Sequence, residues 1–555
     1  MAEPTTVGSY LVHRLAEAGL KHVFGVPGDY VLGFFDLLEA SPMQVVGTTT
    51  EAAAGFAADA YARVNGLGAV CVTYAVGGLN TLNAVAEAYA EKSPLIVISG
   101  APGVRERIRS TLLHHRVRDF NTQRLIFEQA TVASAALEDP ARAPEQIDAA
   151  IAACIHQKRP VYLELPRDVV DRPCAAPGPL APDVPHSDPD ALREALGEAA
   201  AMLRAARKPV ILAGVEVHRF GLQDALLRLV ERTGYPVAAT LLGKSVISEI
   251  HPQYLGVYEG AMGREDVRRV VEGADCVLIL GAFMTDINLG IYTAHLDVSR
   301  TIYATSERIA IKHHRFDGVA FRHFIAGLLK APLGRRRKVA VAPKPERKPF
   351  RPRPGRAICV RRFFERINDF LGDDYAVIVD PGDSMFGAAD LTIHRRTEFI
   401  GNAYYASLGF AVPAALGAQI GRRSLRPIVL VGDGAFQMTG QELSTIARWG
   451  LNPIVFVLNN GGYTTERVIH DGPYNDIPDW AYHRFPELIR AGWGCEVRTE
   501  GELEIALERA REKVDTYSII NVRLDPLDCS EALKRLGKRL GRQGGYTRSR
   551  PPRRG

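Results

Sequence analysis

Two runs of nearly the same composition, PIVLVG at 427–432 and PIVFVL at 453–458, stand about one helix and one turn apart in this chain. Each is apolar throughout and rich in β-branched residues, the pattern of a strand buried on both faces. Parallel strands need a crossover of a dozen residues or more, usually a helix, so the pair implies βαβ folding. The same rhythm fills residues 1–175: VVGTTT, the helical stretch EAAAGFAADAYARVNG, AVCVTYAV, a helix through NAVAEAYA, PLIVISGAP, and VYLEL at 161–165. It resumes after the Pro/Asp-rich CAAPGPLAPDVPHSDPD (174–190), with a helix at ALREALGEAAAMLRAA and strands at PVILAG, PVAATL, CVLILGA and TIYAT. A third unit starts at a helix near Val360 and carries YAVIVD, PIVLVGDG, PIVFVLNN and SIINVRL. The expected fold class is α/β, as three doubly wound domains with parallel sheets. Their expected spans are 1–175, 190–331 and 357–541, with a basic Pro-rich linker at 332–356 and a basic disordered tail at 542–555.

Charge separates the body of the chain from those last two segments. The net charge is +5, but 335–356 and 534–555 each carry +9, which leaves −13 on the rest. Basic, Pro-rich segments can contact nucleic acid or anionic surfaces, or simply remain solvated. The second reading is adopted, and no nucleic-acid partner is expected. Seven cysteines with no CxxC argue against a disulfide framework or a zinc site and favour a reducing compartment. TTVGSYLVHRLAEAG at the N-terminus reads as an amphipathic helix rather than a signal peptide. No apolar run approaches the roughly 20 residues of a membrane span, so no membrane partner and a cytoplasmic location are expected.

The strand ends carry the chemistry. PIVLVG runs into Gly432-Asp433-Gly434, and PIVFVL runs into Asn459-Asn460-Gly461-Gly462. From Gly434 to Asn459 there are 24 intervening residues, enough for one helix and a return strand. Ligands bind at the carboxyl edge of open α/β sheets, so the two ends can face one ligand. Asp433, the Asn460 amide oxygen and a Gly462 carbonyl form an oxygen-only set suited to Mg²⁺ shared with phosphate. Glycines at 432 and 434 would let backbone approach the ligand, with the helix after Gly434 pointing its N-terminus at the phosphates. No GxGxxG follows a strand, which disfavours a nicotinamide dinucleotide. Gly461 receives no role at this stage.

A GDG followed about 25 residues later by NN, each after a strand, resembles the thiamine-diphosphate (ThDP) enzymes. Their N-terminal domain carries a Glu that meets the aminopyrimidine ring, and TTTEAAAGFAADAYAR places Glu51 there. On residue type alone Glu51 could be an ordinary acid at a helix N-terminus, and the His114-His115 pair of LLHH a surface feature. Together with Asp29 in VFGVPGDY and Glu466 in NNGGYTTE, they resemble the 2-keto acid decarboxylases: pyruvate, indolepyruvate and phenylpyruvate decarboxylases. The resemblance runs from residue 5 to about 541, and includes EKSPLIVISGAPG (91–103), IHDGPYND (469–476) and DCSEALKRLGKR (528–539).

That resemblance implies non-oxidative decarboxylation of a 2-keto acid to aldehyde and CO₂, with the electrons held as an enamine on ThDP. Glu51 activates the cofactor. Asp29, His114, His115 and Glu466 handle protons as aldehyde leaves. Cofactor contacts are implied at Gly382, Asp383, Ser384, Gly432, Asp433, Gly434, Ala435, Asn460, Gly462 and Tyr463, with Mg²⁺ on Asp433, Asn460 and Gly462. Leu408 stands where a bulky aliphatic residue supports the bent cofactor. The implied assembly is a homo-oligomer, a dimer at minimum and a tetramer as a dimer of dimers.

Substrate size is read from departures. Thr465, Leu536 and Ile287 stand where pyruvate-specific relatives carry larger groups, while Tyr405 keeps an aromatic and Ile469 is unchanged. Lost aromatic volume favours substrates bulkier than pyruvate, such as phenylpyruvate, indolepyruvate or branched-chain 2-keto acids. The alternatives are pyruvate decarboxylase proper and a carboligase of the acetohydroxyacid synthase type. His114-His115 and Glu466 speak against the ligase, which must avoid rapid protonation of its intermediate. A non-catalytic regulatory role is disfavoured because Glu51, Asp433, Asn460 and Glu466 are all present.

Overall fold

The computed structural model describes residues 5–108, 112–179, 185–333, 349–394 and 398–543. The basic linker and tail fall largely on 334–348 and 544–555, outside the described residues.

The first sheet comprises β1 (His22–Gly25), β2 (Gln44–Gly47), β3 (Gly68–Val72), β4 (Leu95–Ala101), β5 (Ala133–Ala136) and β6 (Val161–Pro166). All its pairings are parallel, in the order β2-β1-β3-β4-β6-β5. Residues of β3, β4 and β6 are buried throughout, as continuous apolar runs require of strands covered on both faces. The second sheet comprises β7 (Pro209–Ala213), β8 (Val237–Ala239), β9 (Tyr254–Val257), β10 (Cys276–Leu280), β11 (Thr301–Ala304), β12 (Ile309–Ile311) and β13 (His314–Phe316). Its order is β13-β12-β11-β10-β7-β8-β9. Here β11, β12 and β13 pair antiparallel, an edge that three-residue strands leave no periodicity to announce. The third sheet comprises β14 (Tyr375–Val379), β15 (Phe399–Ile400), β16 (Arg426–Gly432), β17 (Ile454–Asn459), β18 (Trp493–Val497) and β19 (Ser518–Arg523). It is wholly parallel, and its order β15-β14-β16-β17-β19-β18 repeats that of the first sheet.

The chain forms two compact units. One holds the first sheet with its helices and the segments Val412–Ser424 and Thr439–Leu451; the other holds the second and third sheets. Within the first unit, the Ala-rich helix Glu51–Asn65 is hemmed in by neighbours. A Cβ on Gly417 would meet the Ala57 carbonyl oxygen at 1.8 Å, and one on Gly55 would meet Ala84 Cβ at 2.6 Å. Small residues in EAAAGFAADAYA thus serve close helix packing, which holds the start of that helix in place. Thr50 caps it by accepting from the Ala53 N–H at 3.2 Å, and Gly66, with φ +93°, ends it.

Candidate active site

In the third sheet the chain changes direction between β14 and β16, the place where ligands sit in sheets of this order. The strand ends there open onto a cavity of about 430 Å³. It is lined by sixteen of the positions named from sequence: Ile287, Gly382, Asp383, Ser384, Leu408, Gly432, Asp433, Gly434, Ala435, Asn460, Gly462, Tyr463, Thr465, Glu466, Ile469 and Leu536. Tyr405 is not in the lining. Its neighbour Tyr404, in the turn that leads to Ala406 (φ +60°), lines the cavity together with Tyr463. Tyr404 lies with its ring 6.2 Å from that of Phe283.

Asp433 is the most enclosed charge in this cavity, 1% exposed. Its Oδ2 accepts the N–H groups of Gly461 (2.7 Å) and Gly462 (3.1 Å), and its Oδ1 accepts that of Gly434 (2.8 Å). Burial pushes the carboxyl up to about 6 against the pull of those three donors. Oδ1, with a single donor, retains a lone pair. Beside it, Asn460 Oδ1 is buried without a hydrogen-bond partner. A buried acceptor left unsatisfied next to a buried carboxylate fits a hard cation such as Mg²⁺. Gly461 supplies what sequence left unexplained: φ +72° and an N–H aimed at Asp433. Gly462 has φ +150°, and a Cβ there would meet the Asn475 carbonyl oxygen at 2.0 Å.

The glycines at the other strand end have separate reasons. Gly432 has open space where a Cβ would stand, whereas at Gly434 that space is filled by the Tyr463 ring, 2.5 Å away. Gly434 therefore also makes room for Tyr463, a packing reason beside the ligand approach expected for it. Gly382, with φ +105°, requires glycine for its backbone, and faces Thr465 Oγ1.

Three supports of this site were not named from sequence. Arg467 is buried and donates to the carbonyl oxygens of Asn460 (3.1 Å) and Gly461 (2.7 Å) and to Asp476 Oδ1 (2.6 Å). It pins the loop that carries Asn460 and Gly461. Asp380, fully buried at the end of β14, accepts the N–H groups of Gly409 (2.9 Å) and Ala411 (2.8 Å), which flank the Leu408 loop. Burial pushes its carboxyl up to about 7, opposed by those two donors. Ser530 donates both its hydroxyl and its N–H (2.8 Å) to Asp383, and caps the helix Glu531–Gln543 that brings Leu536 to the cavity. The Asp383 side chain is thus engaged with Ser530, and burial lifts its carboxyl to about 6. The only sequence signal for Arg467 was a cation two residues before the apolar Ile469. Asp380 offered a carboxylate closing a buried strand, and Ser530 a cap before a helical run.

The first unit assembles a second constellation. His114 Nε2 lies 2.8 Å from Asp29 Oδ2, and His115 Nε2 lies 3.9 Å from Asp29 Oδ1. The imidazoles cross edge to face at 4.6 Å, and Tyr30 stacks on His114 at 4.8 Å. Arg167 reaches Asp29 Oδ2 at 3.9 Å. Asp29 and His114 are exposed, so the group can exchange protons with a ligand. Glu51 opens the helix Glu51–Asn65, and its Oε2 accepts from Asn80 Nδ2 at 2.7 Å. The preceding threonines position it: Thr48 donates to the Thr50 carbonyl oxygen (2.9 Å), Thr50 caps, and Thr49 is held by the buried carboxylate of Glu442 through N–H (2.9 Å) and hydroxyl. Glu442 was not named from sequence either; its signal was an acid at the head of the helical stretch ELSTIA.

Comparison with known proteins agrees with this layout. Three models match in chain order: thiamine pyrophosphate enzyme, N-terminal TPP binding domain over residues 5–121, central domain over 196–330 and C-terminal TPP binding domain over 380–522. That is the plan of a thiamine pyrophosphate enzyme. The chain is 34% identical to a probable pyruvate decarboxylase of Schizosaccharomyces pombe, covering 98% of this chain and 97% of the relative. It is 36% identical to the indole-3-pyruvate decarboxylase of Azospirillum brasilense, covering 95% and 96%, and 35% identical to pyruvate decarboxylase 1 of Pisum sativum, covering 99% and 94%. The chain belongs to the ThDP-dependent 2-keto acid decarboxylases, and thiamine diphosphate is its cofactor. Among the described residues no helix is long and apolar enough to cross a membrane.

Proposed function

We propose that this decarboxylase acts on 2-keto acids bulkier than pyruvate. The observation that carries the reading is the composition of the cavity wall, where Ile287, Thr465, Ile469 and Leu536 are small or aliphatic rather than aromatic. No tryptophan lines it, and the aromatic groups that do are Phe386, Tyr404 and Tyr463. An aliphatic wall of this kind leaves room for aromatic or branched side chains. The name of the Azospirillum relative points to a bulky substrate, while the other two names point to pyruvate. Pyruvate decarboxylation is therefore the second reading. A panel of 2-keto acids assayed for CO₂ and aldehyde decides between them. Higher kcat/KM for phenylpyruvate, indolepyruvate or 2-ketoisovalerate than for pyruvate is expected; the reverse order sinks the reading. A C–C bonded product in place of free aldehyde would favour the carboligase.

ThDP, when bound, supplies the electron sink for the bond pair left by CO₂. The chain's own residues do the rest. Asp433, Asn460 Oδ1 and the Gly462 carbonyl would hold Mg²⁺, and the backbones of Gly382–Ser384 and Gly432–Ala435 would hold the diphosphate. Leu408 would support the cofactor from a loop tied to Asp380. Glu51 would hold or release a proton toward the aminopyrimidine. Glu466, Asp29, His114 and His115 protonate the substrate carbon and release aldehyde. The exposed apolar Leu32, Val76, Leu112 and Val117 in the first unit support coverage by a second copy, hence a dimer or a dimer of dimers. Seven free cysteines support a reducing, cytoplasmic setting. The three domains are taken to span 1–175, 190–331 and 357–541.

A further inference from the structure

The carboxylate of Glu51 has one donor among the described residues, the amide of Asn80, at 2.7 Å from Oε2. Both side chains are borne on helices that cannot shift independently. Glu51 begins Glu51–Asn65 and Asn80 lies in the second turn of Val76–Ala90, and these helices touch where a Cβ on Gly55 would meet Ala84 Cβ at 2.6 Å. The start of the second helix is locked in turn. Gln123, 1% exposed, accepts the N–H of Ala75 at 2.7 Å and donates to Ser99 Oγ (2.9 Å) and Tyr162 Oη (2.5 Å). Ala75 adopts φ +54°, a backbone held there by its surroundings.

The other carboxylate oxygen meets a different neighbour. Glu51 Oε1 lies beside Gly77, 3.4 Å from where a Cβ on that glycine would stand. One oxygen is thus taken by an amide donor on a rigid helix, and the other faces bare backbone. A carboxylate on a freely rotating Glu side chain would present either oxygen in many orientations, and ordering it only on reaction adds to the barrier.

We propose that Asn80 is a positioning residue for Glu51: its N–H engages Oε2 and leaves Oε1 as the oxygen that shares a proton with the cofactor's ring. This rests on the reading of Glu51 as the acid that meets the aminopyrimidine. The Asn80 proton stays on its nitrogen throughout. What the residue supplies is orientation, and an amide does so without adding a competing charge.

The test uses the full-length holoenzyme with ThDP and Mg²⁺, and compares Asn80→Ala and Asn80→Asp with the wild type. Ala removes the donor without adding charge, while Asp keeps the size of Asn, lacks the donor and adds a competing charge. Two quantities are read: the hydrogen–deuterium exchange rate at C2 of bound ThDP, by NMR after acid quench, and the ThDP dissociation constant, by calorimetry. Exchange should slow by about ten- to a hundredfold in both variants, the range spanned by one hydrogen bond to a charged group. The dissociation constant should stay within about threefold, since binding free energy then changes by less than one tenfold step. Wild-type exchange in both variants overturns the proposal. So does slower exchange that disappears at saturating ThDP, which would make Asn80 a binding residue only. If the wild type itself exchanges no faster than free ThDP, the reading of Glu51 fails, a result distinct from failure of the Asn80 proposal alone.

Discussion

The first and third sheets share one strand order, six parallel strands each, yet they present opposite chemistry at their carboxyl edges. In the third sheet the decisive carboxylate, Asp433, is 1% exposed and gripped by three backbone N–H groups. In the first, Asp29 is 44% exposed and His114 57%, held mainly by each other and by aromatic neighbours. Identical topology thus carries a buried, backbone-bonded carboxylate in one case and an accessible Asp–His cluster in the other. The difference lies in the loops. Gly461 and Gly462 fold backbone N–H groups over a carboxylate, while the Asp29 turn and the His pair leave their groups in the open. A holding site needs rigid enclosure, and a reacting site needs access.

If that division is right, the largest effects separate cleanly. Glu51→Gln should lower kcat by about 10²–10⁴, the scale of one general acid–base group, with ThDP affinity little changed. Asp433→Ala should instead abolish ThDP·Mg²⁺ binding in calorimetry. The reverse pattern would break the comparison. Glu466 tests whether the third sheet also contributes a reacting group, since it is exposed on the helix Thr464–Ile469. Glu466→Gln should reduce turnover by about 10²-fold or more with cofactor affinity intact; near-normal turnover would confine proton chemistry to the first unit.

Smaller effects probe how the enclosure is built. Arg467→Met removes the donors to the Asn460 and Gly461 carbonyls, and should weaken Mg²⁺ binding by about 10–100-fold, as loss of an outer supporting contact does. Unchanged Mg²⁺ affinity would show that the loop holds itself. Asp380 gives a pH signature. Its folded pKa, about 7, lies above the ordinary aspartate value, so the folded state holds the proton longer than the unfolded chain. Stability is therefore lost as pH rises from about 4 through 7, by about 1.4 kcal/mol per unit at the steepest. The melting temperature of wild type relative to Asp380→Asn should rise as pH falls from about 8 to 5. A flat difference means the buried carboxyl does not titrate there. The smallest effect is expected for Ser530→Ala, about 1 kcal/mol in denaturant unfolding for the lost cap and clasp.

Much of this was legible in the chain because buried parallel strands are written as unbroken apolar runs. PLIVISGA, PIVLVG and PIVFVL became β4, β16 and β17, and the polar residues just beyond the last two line one cavity. β5 (ASAA), β15 (two residues) and the antiparallel β12–β13 edge were not legible, since short edge strands lack both length and β-branched content. Residues tied to a motif were named from sequence, and those whose hydrogen bonds hold such segments were not. Arg467, Asp380, Glu442 and Asn80 have no local pattern that marks them. The error at Tyr405 has the same origin, because sequence cannot say which of two adjacent tyrosines a turn directs inward.

Residue order alone determined the α/β class, the two strand ends that line one cavity, and the family-like set Asp29, Glu51, His114-His115, Asp433, Asn460 and Glu466. Only the tertiary structure decided that Gly434 makes room for Tyr463, that Gly461 turns an N–H onto Asp433, and that Asn80, 29 residues from Glu51, is its donor. Periodicity records how a segment is buried, but a hydrogen bond between two helices exists only once packing has set their register.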